Sequence, residues 1–180
     1  MPNYRRAFAP GGCWFFTVNL LDRRSSLLTD EIDALREATA HTRKRFPFHI
    51  DAFVVLPDHL HAVWTLPPDD ADFSVRWRWI KIRFARSIPK QEWLSPVRRA
   101  RRERGIWQRR FWEHLIRDER DYARHVEYCY INNPLKHALV TRVCDWPHSS
   151  FHRDVRAGVF PEDWAGTVDV AGAFGQRDAS

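Results

Sequence analysis

Continuous runs of apolar, aromatic and β-branched residues mark several segments of the chain. Such runs are typical of buried strands. They predict strands over 13–20, 49–56 and 59–66, and a less regular strand over 106–116. Because only Pro57 and Asp58 separate the second strand from the third, these two strands should form an antiparallel hairpin.

Apolar residues recur at helical spacing in the segments between these strands. One helix is predicted over 29–46, with acidic residues in its first turn. A second helix is predicted over 73–88. Its buried side is expected to carry Val75, Trp79 and Ile82, and its opposite side is basic.

The second half of the chain predicts a third helix over 118–132. This helix opens with acidic residues and is expected to end ahead of Pro134, because the residue before a proline disfavours helical geometry. The preceding residues 90–105 are rich in arginine and lack a clean period, which predicts a basic loop. A short helix is predicted over 150–157.

The predicted order of elements is strand, helix, strand, strand, helix, strand, helix. This βαββαβ order favours an α+β, ferredoxin-like antiparallel sheet with helices packed on one face, followed by a C-terminal helical extension. We expect a single domain over 1–165. Residues 166–180 are rich in Gly, Ala and Asp and are expected to form a flexible tail.

The composition excludes several classes of protein. The 180 residues suit one globular domain, and 44% of them are hydrophobic, which argues against disorder. No apolar stretch approaches the roughly 18 residues of a membrane span, and the N-terminus lacks a signal-peptide core. We therefore expect a cytoplasmic protein without a membrane partner. No GxxxxGK[ST] motif is present, so no nucleotide cofactor is expected.

Positive charge is concentrated in one part of the chain. The whole sequence has 29 Lys and Arg against 23 Asp and Glu, but residues 76–124, the basic segment, hold 16 against 6. Most of these cations are arginines, whose planar fork suits phosphate, and tryptophans between them can stack on unpaired bases. A solvated helix face is the alternative explanation. The pattern favours nucleic-acid binding.

Two histidines occur two residues apart on the third predicted strand. His59 and His61 should project from one face of the sheet, while Leu60 faces the other way. Two adjacent imidazoles can bind a divalent metal and leave coordination positions open for phosphate oxygens. The alternative is a pair of histidines that serve only as hydrogen-bonding groups.

The third predicted helix offers a nucleophile. Tyr128 and Asn132 are four residues apart and therefore share one helix face. A positioned tyrosine hydroxyl can attack a phosphate, and the Asn132 amide oxygen could serve as a third metal ligand. Otherwise Tyr128 is a packing residue and Asn132 caps the helix. Tyr130 should point about 200° away from Tyr128 and is interpreted as a packing residue.

Four motifs together resemble one known family. They are LPDHLHAVWTLP (56–67), GIWQRRFWEHLIRDERD (105–121), HVEYCYINNPLKHALV (125–140) and DWPHSSFHRDVRAG (145–158). The combination is similar to the REP-associated tyrosine transposases, relatives of the single-strand insertion-sequence transposases. The resemblance covers nearly the whole chain.

This resemblance implies a single-tyrosine enzyme of the HUH superfamily. It implies a divalent ion, Mg²⁺ or Mn²⁺, on His59 and His61, with Tyr128 as the catalytic residue and Asn132 as the third ligand. The family usually runs from this asparagine directly to proline, whereas here Asn133 intervenes. Asn133 is therefore an alternative ligand, although it should lie about 140° around the helix from Tyr128.

The resemblance also implies a substrate, namely single-stranded DNA at palindromic repeats that fold into hairpins. The hypothesis is cleavage through a 5′-phosphotyrosine, as in DNA transposition and recombination. The alternatives are an inactive regulator that binds hairpin DNA or RNA, and metal-dependent hydrolysis by water.

A monomer is favoured over a dimer. The residues predicted to contact DNA are Arg83, Arg109, Arg110 and Trp112; the remaining histidines are assigned to structure or phosphate contact.

Overall fold

Four antiparallel strands form a single sheet. The computed structural model describes residues 8–166 apart from 91, 93, 102, 137 and 138, and only the backbone of 132–136. The strands are β1 (Cys13–Asn19), β2 (His49–Val55), β3 (His59–Thr65) and β4 (Trp112–Leu115). Their order across the sheet is β2-β3-β1-β4, and every pairing is antiparallel. The predicted ferredoxin-like α+β fold is confirmed.

The helices mostly follow the predicted segments. They are α1 (Leu27–Asp30), α2 (Ile32–Arg45), α3 (Phe73–Ser87), α4 (Pro96–Ala100), α5 (Glu119–Lys136) and α6 (Phe151–Arg156), with a 3₁₀ turn at Val143–Asp145. The helix predicted over 29–46 begins earlier, as α1, and is interrupted at Glu31. The predicted basic loop contains α4, which Ser95 caps and Pro96 opens.

Helices cover both faces of the sheet, so the prediction of one covered face is wrong. On β1, Trp14 and Phe16 belong to the core formed with α2 and α3, whereas Phe15 belongs to a second core formed with α5 and α6. The reason lies in the strands themselves, because β1 and β3 are buried on both sides and each side needs an apolar cover.

The buried side of α3 differs from the predicted one. Phe73, Trp77, Ile80 and Phe84 are buried, with Arg76 beside them, whereas Ile82 is 37% exposed. Trp77 stacks on Trp64 of β3, with ring centroids 4.1 Å apart. The four buried apolar residues are separated by four, three and four positions, and burying that set removes more apolar surface from water.

Helix α5 continues beyond its predicted end. The backbone remains helical to Lys136 and so passes Pro134. A proline close to a helix end removes one hydrogen bond of the last turns and does not stop the helix.

The strand predicted over 106–116 is shorter in the structure. Within this segment β4 joins the sheet, and an isolated bridge links Trp107 to Leu20.

The C-terminal extension packs against the sheet edge formed by β2. The backbone of His148 accepts a hydrogen bond from Val55, and that of Ser150 donates one to Phe53. These bonds occupy backbone groups that an edge strand would otherwise leave unpaired.

The predicted helix over 150–157 is confirmed as α6. Of the predicted tail, 167–180 lie outside the described residues. No helix in the described part of the chain is long and apolar enough to cross a membrane.

Candidate active site

The histidine pair lies on the face of the sheet that α5 covers. In the register of β1 and β3, His61 is opposite Thr17 and His59 is opposite Asn19. Leu60 belongs to the core on the other face, as the alternation of a strand requires. The two imidazole rings have centroids 5.1 Å apart and lie almost perpendicular to each other. The predicted side-by-side placement of His59 and His61 is confirmed.

Hydrogen bonds fix the orientation of both imidazoles. The Nδ1 atom of His61 is 2.9 Å from Thr17 Oγ1, and that of His59 is 2.7 Å from Asp58 Oδ1. Metal-binding histidines usually donate one ring nitrogen to such a partner and coordinate through the other. The bonds therefore assign Nε2 of each ring as the atom that would bind a metal ion.

The carboxyl group of Asp58 stays ionised beside His59. Burial opposes this ionisation, but the hydrogen bond and charge of His59 and the charge of Arg23 outweigh it. The pKa of Asp58 consequently lies below its usual value. Arg23 Nε is 3.1 Å from Asp58 Oδ2. A carboxylate behind a histidine is a common outer partner that orients a metal-binding imidazole.

Helix α5 brings Tyr128 to the same place. The Tyr128 ring lies 5.3 Å from the His61 ring, centroid to centroid, and meets it edge-on. Phe15 packs beneath both rings, 5.5 Å from His61 and 5.7 Å from Tyr128. Tyr128 is 2% exposed and His59 is 1% exposed. Residues separated by more than sixty positions in the sequence thus form one buried cluster.

Asn132 lies in α5, one helical turn beyond Tyr128. Its side chain, like that of Asn133, lies outside the described part of the chain. Four residues of helix turn the backbone by about 400°, so Asn132 shares the face of Tyr128 and Asn133 does not. Two imidazole nitrogens and an amide oxygen make a donor set suited to a divalent ion. The residues present therefore fit the metal that the resemblance implies.

Tyr130 is confirmed as a packing residue. It is fully buried in the core with α6, and its hydroxyl bonds to Asp154 and to Ser150 Oγ, the latter at 3.0 Å. Burial and the neighbouring Asp154 carboxylate raise the pKa of Tyr130 well above its usual value. The phenolate form is therefore disfavoured, which makes Tyr130 a poor nucleophile.

Replacing Tyr130 by phenylalanine should destabilise the protein and leave the reactive groups of the Tyr128 site in place. The change leaves Asp154 short of one buried hydrogen bond, which costs about 1–3 kcal/mol. Urea unfolding should therefore show a lower midpoint. Tyr122→Phe is the matched control, because the Tyr122 hydroxyl bonds to Asp51 at a more exposed position. An equal loss of stability in both variants would contradict the assigned role of Tyr130.

Part of the basic segment stabilises the fold and is not available to DNA. Arg76 is buried, and its guanidinium bonds to Asp70 and to the carbonyl of Pro47. Trp77 is 1% exposed. Arg104 binds Glu92 and backbone carbonyls at the end of α3. Interpreting every cation and tryptophan of this segment as a DNA contact is therefore wrong for these three residues.

The four predicted DNA contacts lie in different places. Trp112 is on the face of Tyr128, opposite Thr17 in the register of β1 and β4. Arg83 is on α3, which packs on the other face. Arg109 is half exposed and forms an ion pair with Glu103, and Arg110 is exposed. The structure therefore places Trp112 on the tyrosine's face and the helix of Arg83 on the opposite face.

Sequence reasoning missed a second cluster of chemically active side chains. His114 of β4 lies next to Asp121 and His125 of α5, and the three residues converge at the start of the helix. Part of the signal was present, because Asp121 and His125 are four residues apart and share a helix face. The contribution of His114 depends on how β4 is placed against α5, which the spacing does not show.

Comparison with known proteins identifies the family. The REP-associated tyrosine transposase of Escherichia coli (strain K12) is 51% identical over 168 residues, covering 93% of each chain. A Haemophilus influenzae protein provisionally assigned to that family is 49% identical over 171 residues, covering 94% of this chain and 97% of its own. No family model matches the chain. The chain belongs to the REP-associated tyrosine transposases.

A solved structure supports the same conclusion. It shows a REP-associated tyrosine transposase bound to a REP hairpin. That protein is 49% identical to this chain, the match covers 100% of both chains, and the TM-score is 0.86. The sheet, its helices and the C-terminal extension therefore belong to a fold that this family shares.

Proposed function

We propose that this protein cuts and rejoins single-stranded DNA at hairpin-forming repeats, with a divalent metal and a 5′-phosphotyrosine intermediate. The observation that carries the proposal is the packing of Tyr128 against His61, at 5.3 Å between ring centroids, beside His59. A nucleophile and a pair of metal-binding nitrogens meet there on two rigid elements. Binding alone requires no such arrangement.

The relatives support the choice of substrate. One related transposase has been solved with a REP hairpin bound. In this chain, single-stranded DNA beside such a hairpin would present a phosphate to Tyr128 and unpaired bases to Trp112. Exposed arginines of the basic segment, such as Arg110, would contact phosphates without reading sequence.

The reaction follows from the groups in the site. His59, His61 and Asn132 would hold the divalent ion, Mg²⁺ or Mn²⁺, which when bound would supply positive charge to the scissile phosphate. Tyr128 Oη attacks phosphorus in line. The new bond joins the tyrosine oxygen to phosphorus while the phenol proton passes to water. The bond from phosphorus to the 3′ oxygen breaks, and that oxygen takes a proton from water and leaves as a 3′-hydroxyl.

The intermediate allows strands to be rejoined. A phosphotyrosine is a phosphodiester, so a 3′-hydroxyl can attack it and restore both the DNA bond and the free tyrosine. The exchange is nearly balanced in energy and needs no ATP, in keeping with the lack of a phosphate-binding GxxxxGK[ST] loop. The same chemistry serves DNA transposition and recombination.

Access to the site requires movement. His59, His61 and Tyr128 are each at most 2% exposed. A DNA phosphate can reach the tyrosine hydroxyl only if part of the chain moves aside. This burial is the one observation that favours a second candidate, a protein that binds hairpin DNA without cutting it.

Replacing Trp112 by alanine should weaken DNA binding. Loss of one aromatic stacking partner costs about 1–3 kcal/mol, or roughly 5- to 150-fold in affinity. Fluorescence anisotropy with a labelled hairpin that carries a single-stranded extension measures the change. Trp79→Ala is the control, because Trp79 lies on α3 and packs on Phe46, away from the tyrosine's face. Equal weakening by both substitutions would contradict this placement of the DNA.

The proposal is tested by a denaturing gel. The untagged protein is mixed with labelled single-stranded repeats, with Mg²⁺, with Mn²⁺ or with a chelator. We expect a covalent protein–DNA adduct that appears with metal and disappears with chelator. Tight binding without an adduct, over several repeat sequences, would favour the binding-only candidate. Cleavage without an adduct would instead indicate hydrolysis by water.

A further inference from the structure

A cluster of three potential ligands occupies the start of α5, beside β4. The Nε2 atom of His114 is 2.8 Å from Asp121 Oδ2, and the Nδ1 atom of His125 is 3.0 Å from Asp121 Oδ1. One donor atom from each residue lies within 4.8 Å of the other two. The cluster contains none of His59, His61 and Tyr128, although Phe15 contacts both His61 and His125, with ring centroids 5.5 and 4.9 Å away.

We propose that His114, Asp121 and His125 form a second divalent-metal site, selective for zinc-like ions over Mg²⁺. A tetrahedral zinc ion with bonds of about 2.1 Å holds its ligand atoms about 3.4 Å apart. The cluster therefore reaches zinc geometry through small side-chain adjustments. Two imidazoles and one carboxylate suit Zn²⁺ or Co²⁺, whereas Mg²⁺ prefers an octahedron of oxygen atoms.

The ligands are already held in place by their neighbours. The His114 ring stacks between Trp112 and His125, at centroid distances of 5.9 and 4.5 Å. The backbone N–H of Arg117 donates to Asp121 Oδ2 at 3.1 Å. Such contacts orient ligands before the ion arrives and reduce the entropy lost on binding.

The ligands must exchange their present hydrogen bonds for bonds to the ion. His125 Nδ1 also lies 2.8 Å from the backbone carbonyl of Asp121 and would give up that contact on binding a metal. Burial lowers the pKa of His125, which favours the neutral imidazole. Burial opposes ionisation of Asp121, but hydrogen bonds from His114 and Arg117 keep its pKa below the usual value. The side chains of His114 and Asp121 are 28% and 20% exposed, so an ion can enter from solvent. One coordination position would remain for water.

The proposed metal site would connect β4 to α5 on the tyrosine's face of the sheet. His114 belongs to β4, and the other two ligands belong to the first turns of α5. His125 lies three residues before Tyr128 on that helix. A bound ion would therefore fix the start of the tyrosine helix against the sheet. It would also raise the melting temperature, as any ligand specific to the folded state does.

The test uses cobalt as a visible probe of the zinc site. In untagged, full-length His59→Gln/His61→Gln protein, the proposed catalytic ligands are removed while polar groups remain for Thr17 and Asp58. We expect one equivalent of Co²⁺ to bind with visible absorption bands, to be displaced by one equivalent of Zn²⁺, and to resist excess Mg²⁺. Co²⁺ binding by this variant does not depend on DNA cleavage. The second metal site can therefore be tested separately from the proposed function.

Variants of the cluster decide the outcome. Adding His114→Ala/His125→Ala should weaken Co²⁺ binding by at least about 100-fold, more than the loss of an outer hydrogen-bonding partner. Asp121→Asn tests the same point with little change of shape and should also lose affinity. His41→Ala/His49→Ala, two exposed histidines elsewhere, should have no effect. Unchanged binding in Asp121→Asn, or no Co²⁺ binding by the background protein at millimolar concentration, would overturn the proposal.

Discussion

Replacing Tyr128 by phenylalanine should abolish the covalent adduct and lower cleavage of a hairpin substrate by at least about 10³-fold. The substitution removes the only atom proposed to bond to phosphorus and keeps the ring that packs on His61 and Phe15. Single-turnover cleavage with labelled DNA measures the rate. DNA binding should change little, because the ring contacts remain, and cleavage is compared at a temperature where the variant is folded.

Tyr130→Phe is the matched control for this experiment. It removes a tyrosine hydroxyl two residues away in the same helix, one that bonds to Asp154 in the core. This variant should still form the adduct at a temperature where it is folded. If Tyr128→Phe formed normal adduct, or if Tyr130→Phe alone lost it, the assignment of the nucleophile would be wrong.

The second large effect is expected at the histidine pair. His59→Gln/His61→Gln should lower metal-dependent cleavage by roughly 10²–10⁴-fold, equivalent to the several kcal/mol that a metal supplies to a phosphate transition state. Because Thr17 and Asp58 keep polar partners, the fold should survive. Cleavage rates across a titration of Mn²⁺ provide the measurement.

The controls for the histidine pair are two exposed histidines. His41→Ala/His49→Ala removes the same number of imidazoles from positions outside the site and should leave both the rate and the Mn²⁺ response unchanged. A histidine-pair variant that cleaved at the normal rate would show that the proposed reaction does not use this metal site.

The elements that position the site were predictable from local patterns. Buried runs separated by Pro57 and Asp58 predict the hairpin, and strand alternation then puts His59 and His61 on one face whatever the rest of the fold does. Helical spacing assigns Tyr128 and Asn132 to one face of α5 in the same way. The 5.3 Å contact between Tyr128 and His61 was not predictable from spacing, since it depends on how α5 crosses the sheet.

The errors arose where tertiary packing chooses between alternatives. Spacing alone allowed either of two apolar sides of α3 to face the core. The side with Trp77 and Phe84 is the buried one, because its rings fill the core. The guanidinium of Arg76 suits a DNA phosphate, but this side chain is buried and forms an ion pair with Asp70. Charge counts along the sequence cannot separate buried cations from exposed ones.

The cluster of His114, Asp121 and His125 shows a further limit of pattern reasoning. Its ligands come from a short strand and from a helix that packs across it, and the sequence spacing of His114 from Asp121 matches no local motif. The family resemblance implies metal binding at His59 and His61, whereas His114 and His125 were predicted to serve structure or phosphate contact. Only the packing of α5 against β4 shows that their donor atoms converge.

The central claim is that Tyr128 carries the cut DNA strand, and mass spectrometry of the trapped adduct tests it most directly. Protein incubated with Mn²⁺ and a hairpin repeat is digested with protease and nuclease, and the modified peptide is sequenced. We predict a nucleotide joined through its 5′ phosphate to Tyr128, with Tyr122 and Tyr130 unmodified. A nucleotide on another residue, or attachment through a 3′ phosphate, would contradict the account.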